Sequence, residues 1–361
     1  MDENKWEYDY SSSNNSAGDT GYPNVGSSGM NTANTASSFS ESTGASGGAT
    51  PPPAQPQNAA PAAPKKPKKN AGKAAKSIVA LVLAAAMGFA GGFVGARIMT
   101  QLADRYELCS FPKGMLAAAN ETAVQEHICR TQPDVILHTA AISDTGYSEN
   151  HPEESYRANV LLPLWMAQAA KRAGAKLICF SSDQVYTGLN ENGPFAEEQP
   201  LCPANVYGHH KWEAEQRVLS ALPDAVMLRA TWMYDLPGYG LPIRGNFVLN
   251  LLTAAMRQQT VRFSCHDYRG ITYVREAVEK LTQAMELPGG IYNFGSENDC
   301  DMYETALRAC EQLNIRPDIE KQDWKRSLRM DGGKLRAAAG SGFSDLQTGL
   351  MQCLRDYGLQ M

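Results

Sequence analysis

From position 97 onward, short apolar runs alternate with amphipathic stretches. Val135–His138, Lys176–Phe180 and Ala225–Arg229 are bounded runs of the kind that become strands buried on both faces of a sheet. Tyr106–Ser110 predicts a further strand, placed after a helix ending near Asp104. Helical periodicity marks Glu121–Arg130 and Leu162–Ala170 between the strands, and later Phe247–Met256, Tyr303–Asn314 and Asp345–Tyr357. Gly290–Phe294 is assigned with the last two helices to the closing part. This alternation predicts an α/β, Rossmann-type, doubly wound parallel sheet over residues 97–361. A smaller C-terminal α/β lobe is expected mainly over residues 232–361.

The first part of the chain has a different pattern. Residues 1–64 are rich in Ser, Gly, Asn, Ala, Thr and Pro and poor in large apolar residues, so they predict a disordered tail. Six lysines between Lys65 and Lys76 make a basic linker. Ser77–Ala96 then carries no charge, and about 20 apolar residues suffice to cross a bilayer. The polybasic flank and the apolar run predict a single-pass membrane association through residues 77–96. Gly88 and Gly92, like Gly91 and Gly95, stand four apart, a spacing that lets two membrane helices approach and would support a homodimer. The same run also reads as a degenerate first strand with a Gly-rich turn, which would leave the protein cytoplasmic. The two readings exclude each other, because a helix of that length leaves no room for a strand and a turn.

Chemistry gathers between Ser181 and Lys211. The run Lys176–Phe180 delivers Ser181 and Ser182 to the carboxyl end of a strand, where open α/β sheets bind ligands. Pro203 and Asn205 then introduce a helix on which Tyr207 and Lys211 stand four apart and share a face. A free phenol has a pKa near ~10, and a neighbouring ammonium lowers it toward the range of proton transfer. Tyr207, Lys211 and Ser182 are therefore the candidate catalytic residues.

These segments, Ser181-Ser-Asp-Gln-Val-Tyr186 and Tyr207-Gly-x-x-Lys211, resemble the extended short-chain dehydrogenase/reductase family and within it the dTDP-4-dehydrorhamnose reductase branch. The similarity continues through Asp134–Ala141, Leu228–Tyr234, Gly245–Val248 and Leu328–Leu335. It implies an NADP(H)-dependent reduction of a nucleotide-activated keto sugar, with NAD as the alternative cofactor. By resemblance, Tyr207 donates the proton, Lys211 lowers its pKa and holds the nicotinamide ribose, and Ser182 bonds the carbonyl oxygen. The cofactor would meet Gly92, Gly95, Lys113, Thr139, Ala140, Ala141 and Lys211, and the substrate Ser182, Thr231 and Trp232. In the family's usual strand order the first strand lies between the second and the fourth. Two departures stand out: Phe89 where the pyrophosphate turn has its first glycine, and Ile271 where the rhamnose-forming branch has proline. The first leaves open a non-catalytic, membrane-tethered binding module.

Composition adds exclusions. The net charge of −5 and the lack of a basic, aromatic-studded stripe argue against a nucleic-acid partner. The eight cysteines form no C-x-x-C pair and, like His209, His210 and His266, show no metal spacing, so they read as reduced thiols and no metal is expected.

Overall fold

A computed structural model describes residues 79–83, 91–111, 120–238, 240 and 245–359, all within one compact unit. The predicted tail 1–64, the basic linker 65–76, Gly88, Phe89 and Lys113 lie outside the described residues.

The strands are β1 (Val79–Leu83), β2 (Glu107–Ser110), β3 (Val135–His138), β4 (Lys176–Ser182), β5 (Val226–Ala230), β6 (Trp232–Tyr234), β7 (Thr260–Arg269), β8 (Ile271–Tyr273), β9 (Gly290–Phe294) and β10 (Asp318–Leu328). The helices are α1 (Gly91–Gln101), α2 (Glu121–Thr131), α3 (Thr145–Asn150), α4 (Pro152–Tyr156), α5 (Leu162–Ala173), α6 (Val206–Ala221), α7 (Phe247–Arg257), α8 (Val274–Ala284), α9 (Met302–Gln312), α10 (Gly333–Ala339) and α11 (Leu346–Asp356). A wide π-type turn, Arg157–Leu161, joins α4 to α5.

The main sheet is parallel throughout, in the order β2-β1-β3-β4-β5-β9. Helices cover both faces, which is why its strands are apolar runs rather than alternating ones. One layer of core packs α2 and α5 against Ile136, Leu177, Cys179 and Met227, and the opposite layer sets α1 and α8 against Leu137, Ile178 and Leu228. A further core, built around Phe247, Phe263, Tyr273 and Leu350, joins α7, α9 and α11 to the paired strands β6-β8 and β7-β10.

The membrane expectation is overturned here. Val79–Leu83 is a strand at a central position, pairing in parallel with β2 through Val79 to Val82 and with β3 through Ala80 to Leu83. Gly91 opens a separate helix of 11 residues. Among the described residues no helix is long and apolar enough to cross a membrane. A strand covered on both faces demands the same uncharged composition as a membrane span, and that shared demand misled the hydropathy reading. The basis for a dimer of membrane helices goes with it. The strand's neighbours are β2 and β3, so the first strand is central as expected, with the third described strand where the fourth was anticipated.

A buried polar network ties the sheet to α6. Arg229 on β5 makes a bidentate ion pair with Glu215 on α6, at 3.0 and 2.7 Å, both side chains at most 2% exposed. The guanidinium also donates to Tyr186 Oη and to the Glu197 carbonyl, while Ser181 Oγ donates to Glu215. Tyr186 in turn donates to Asn293 Oδ1 on β9. Removing one member strands the others, so Glu215→Ala is expected to cost about 3–5 kcal/mol by leaving a buried guanidinium uncompensated. Urea denaturation of the variant checks this.

Candidate active site

The site is assembled at the carboxyl ends of β3 and β4. The strand order reverses between β1 and β3, and ligands of open α/β sheets enter at such a reversal. Strand β4 ends in Ser181 and Ser182, and a tight turn, Asp183–Tyr186, follows at once. Ser182 Oγ caps that turn by accepting from the Gln184 N–H at 3.2 Å, and donates to Asp183 Oδ1 at 3.2 Å.

The start of α6 is fixed against the same turn. Asn205 caps the helix by accepting from the Gly208 N–H at 2.7 Å, and its amide donates to Gln184 Oε1 at 3.1 Å. A Cβ at position 208 would stand 2.5 Å from the Gln184 carbonyl oxygen, so only glycine lets the helix approach this closely. The first turn of α6 thereby carries Tyr207 close to Ser182, which works to lower the pKa of its phenol. Tyr207 is 5% exposed.

Lys211 is buried one turn further on. Its Nζ donates to the Phe180 carbonyl at 2.8 Å and stands 5.8 Å from the centre of the Tyr207 ring. The other ammonium protons have no partner among the described residues. Burial pulls the Lys211 pKa down to about 8, against the opposing pull of Cys179 and Glu215. Burial also pushes the Tyr207 phenol above its ordinary range, with Ser182 working against the rise and the charge of Asp183 adding to it. The expectation that Lys211 lowers the phenol's pKa is therefore not met in this state. The ammonium is aimed at a backbone carbonyl, and removal from water dominates.

Thr139, Ala140 and Ala141 follow β3 directly and are all buried. Next to them is a residue that sequence reading passed over. His138, 1% exposed, has neither ring nitrogen partnered among the described residues. Burial, and then the charge of Lys211, push its pKa down to about 3, so it is a neutral imidazole. A buried polar group without a partner costs about 1–3 kcal/mol, and such orphans collect where a ligand completes the bonding. Unpartnered Lys211 protons and imidazole nitrogens, beside the small side chains of Ala140 and Ala141 at the reversal point, suit a polar, flat-ringed ligand.

The remaining predicted positions divide. Gly92 and Gly95 lie in the first turns of α1, the helix that follows β1, and Gly95 is buried. Trp232 is half-buried, with the Arg269 guanidinium 5.1 Å from its ring centre and Phe247 edge-on at 6.0 Å. Arg269 reaches on to Asp183, 2.9 Å away, and so links Trp232 to the turn that holds Ser182. Thr231 stands apart from this group. Its hydroxyl bonds that of Thr272, and its side chain fills the space that a Cβ at Gly295 would need. Asp183 and Arg269 are additions that the sequence could have signalled only in part, through the acid directly following Ser182.

The same fold is found in known proteins. A family model described as the RmlD substrate binding domain matches residues 86–329. The spore coat polysaccharide biosynthesis protein SpsK of Bacillus subtilis is 27% identical over 231 residues, covering 64% of this chain and 79% of that protein. The dTDP-4-dehydrorhamnose reductase of Aggregatibacter actinomycetemcomitans is 28% identical over 240 residues, with the same two coverages of 64% and 79%. The crystal structure of a dTDP-4-dehydrorhamnose reductase from Bacillus anthracis in complex with NADP superposes with a TM-score of 0.69 at 20% identity, covering 79% of this chain and 100% of that one. At that identity the likeness is one of fold. The family match, running from before α1 through β10, takes in Ser182, Tyr207 and Lys211 in one continuous stretch, and the chain belongs to the RmlD substrate binding domain family.

Proposed function

We propose that this protein is an NADPH-dependent reductase of a nucleotide-activated 4-keto sugar. The observation that carries the reading is the close placement of Ser182 and Tyr207, with buried Lys211 one helical turn away, at the carboxyl end of β4. Family membership and the reductases among its relatives support it. The cofactor supplies the hydride. Lys211, with its unpartnered ammonium protons, and the small-residue end of β3, Thr139 to Ala141, would hold its nicotinamide half, and the start of α1 around Gly92 and Gly95 would hold its phosphates.

A reductase needs its phenol protonated at rest, and burial keeps Tyr207 in that form. The proton leaves Tyr207 Oη only for a stronger base, the alkoxide oxygen that develops as the ketone is reduced. Ser182 Oγ turns its hydrogen from Asp183 to that oxygen, and Arg269 neutralises the carboxylate left behind. Lys211 stabilises the phenolate once the proton has gone.

The test is loss of NADPH absorbance with dTDP-4-dehydrorhamnose as substrate and NADH as comparison. Turnover with NADPH supports the reading. Folded protein that binds NADPH and turns over none of a panel of 4-keto sugar nucleotides would leave a binding module instead. Phe89, where the family's pyrophosphate turn has its first glycine, is the feature that favours that second reading.

The pH profile follows from Lys211. Its ammonium is the working form, so kcat/KM is expected to fall as pH rises through about 8. Lys211→Arg, which stays charged, removes that descending limb. Stability runs the other way. The folded pKa lies below the ordinary 10.5, so charging the buried amine costs stability fully below pH 8, and the cost fades as pH rises from about 8 toward 10.5.

A further inference from the structure

The ribbon β7-β10 carries a cluster that the proposed reduction does not use. Cys265, His266 and Asp323 each place one ligand atom within 4.8 Å of the other two. His266 Nε2 is 2.9 Å from Asp323 Oδ1. Neighbouring residues of a strand normally face opposite ways, and here the backbone breaks that rule. Along β7, Phe263 and Ser264 are both buried, Cys265 and His266 both partly open, and Asp267 buried again. The cause is an irregularity in register, since Ser264 pairs with Gln322 and His266 with Lys325. One extra residue on β10 re-aims Asp323 across the ribbon, as bulges do.

The irregularity is held by named bonds. Ser264, fully buried, donates through Oγ to the Trp324 carbonyl and accepts from the His266 N–H at 3.0 Å. On the far side Arg326 clamps Asp267 with two bonds, at 2.8 and 2.7 Å. The three donors are thus carried on a braced backbone, while the side chains of His266 and Asp323 remain 43% and 88% exposed.

The geometry points to a divalent transition-metal site on this ribbon, formed by Cys265, His266 and Asp323 and suited to zinc. Thiolate, imidazole and one carboxylate are the donor set of a borderline-soft ion, and they do not suit magnesium or calcium. Three protein ligands leave the fourth tetrahedral position to water. Ligand atoms around zinc at about 2.0–2.3 Å lie roughly 3.3–3.7 Å from each other, so a small contraction of the cluster and a slight parting of His266 from Asp323 complete the shell. On binding, the ion takes the place of the proton between His266 and Asp323, and the Cys265 thiol gives up its proton to solvent as the metal–sulfur bond forms. The ion then cross-links β7 to β10, strands that are 58 residues apart at the Arg262–Glu320 pair nearby.

The experiment is titration of the chelator-treated full-length protein with ZnCl2 by calorimetry, and with CoCl2 by absorption. Wild type is expected to bind one zinc with micromolar or tighter affinity, to show a thiolate-to-cobalt charge-transfer band, and to melt at higher temperature with zinc. Cys265→Ser should abolish the band, and His266→Gln and Asp323→Asn should each weaken zinc binding at least tenfold. NADPH binding by all three variants should stay unchanged, which keeps this site separate from the proposed reductase site. Zinc affinity equal in wild type and variants, or an affinity for magnesium matching that for zinc, would overturn the proposal.

Discussion

A chain that begins at Arg97 is expected to have no sharp thermal transition and to bind a dye for exposed apolar surface, where the full-length protein melts cooperatively. The truncation removes β1, which pairs with β2 on one side and β3 on the other. Without it β2 loses its neighbour in the main sheet, and β3 becomes an edge with open backbone groups. The first turns of α1 go too, taking Val94 out of the core that covers Leu137 and Ile178. Two strand ladders and a share of one core layer exceed the total of about 5–15 kcal/mol by which such a domain is stable. Calorimetry of both proteins decides the matter. A cooperative melt of the fragment would show that the sheet can close over the gap, and that β1 adds little.

Tyr207→Phe is the second large effect, and it is expected on rate rather than on stability. General acid catalysis contributes about 10²–10⁴-fold, roughly 3–5 kcal/mol of barrier. The folded state loses only the polar contact of the phenol hydroxyl, while Ser182 keeps its bond to Asp183 and the buried ring stays. A net hydrogen bond is worth about 1 kcal/mol, so the melting temperature should move by a few degrees at most. Steady-state turnover and a thermal melt of the same preparation check both halves. A variant that retains the wild-type rate would remove Tyr207 from the chemistry. A variant that fails to fold would show that the hydroxyl holds the turn after β4.

What was legible in the sequence was local. Ser182 at a strand end and Tyr207 four residues before Lys211 are spacings that the backbone converts directly into geometry, and the structure places these residues as their spacing suggests. The run Val135–His138 forms a strand at the predicted limits. β10 was not foreseen, because Asp-Ile-Glu-Lys-Gln-Asp-Trp-Lys-Arg is polar enough to pass for a loop, and it forms a strand on an open ribbon where most side chains meet water. β1 was misread for the opposite reason, since lack of charge cannot tell a protein interior from a lipid one. Other features depended on residues far apart in the chain. Arg269 and Asp183 are 86 residues apart, and the Phe180 carbonyl that accepts the Lys211 hydrogen bond carries no side-chain signal at all. The sign of the Tyr207 shift was lost in the same way, because burial is a property of the packed fold.

Gly208 has a consequence for how this site can move. With no side chain there, the first turn of α6 lies directly against the Gln184 backbone, and Asn205 joins the two again through its amide. Ser182 and Tyr207 are therefore carried by a single rigid body. The orientational entropy of bringing hydroxyl to phenol is lost once, as the chain folds, and is not lost again with each molecule bound. Any closing motion on ligand binding falls to the opposite wall of the cleft, and slow steps of the cycle should respond to changes there while remaining indifferent to the distance between Ser182 and Tyr207.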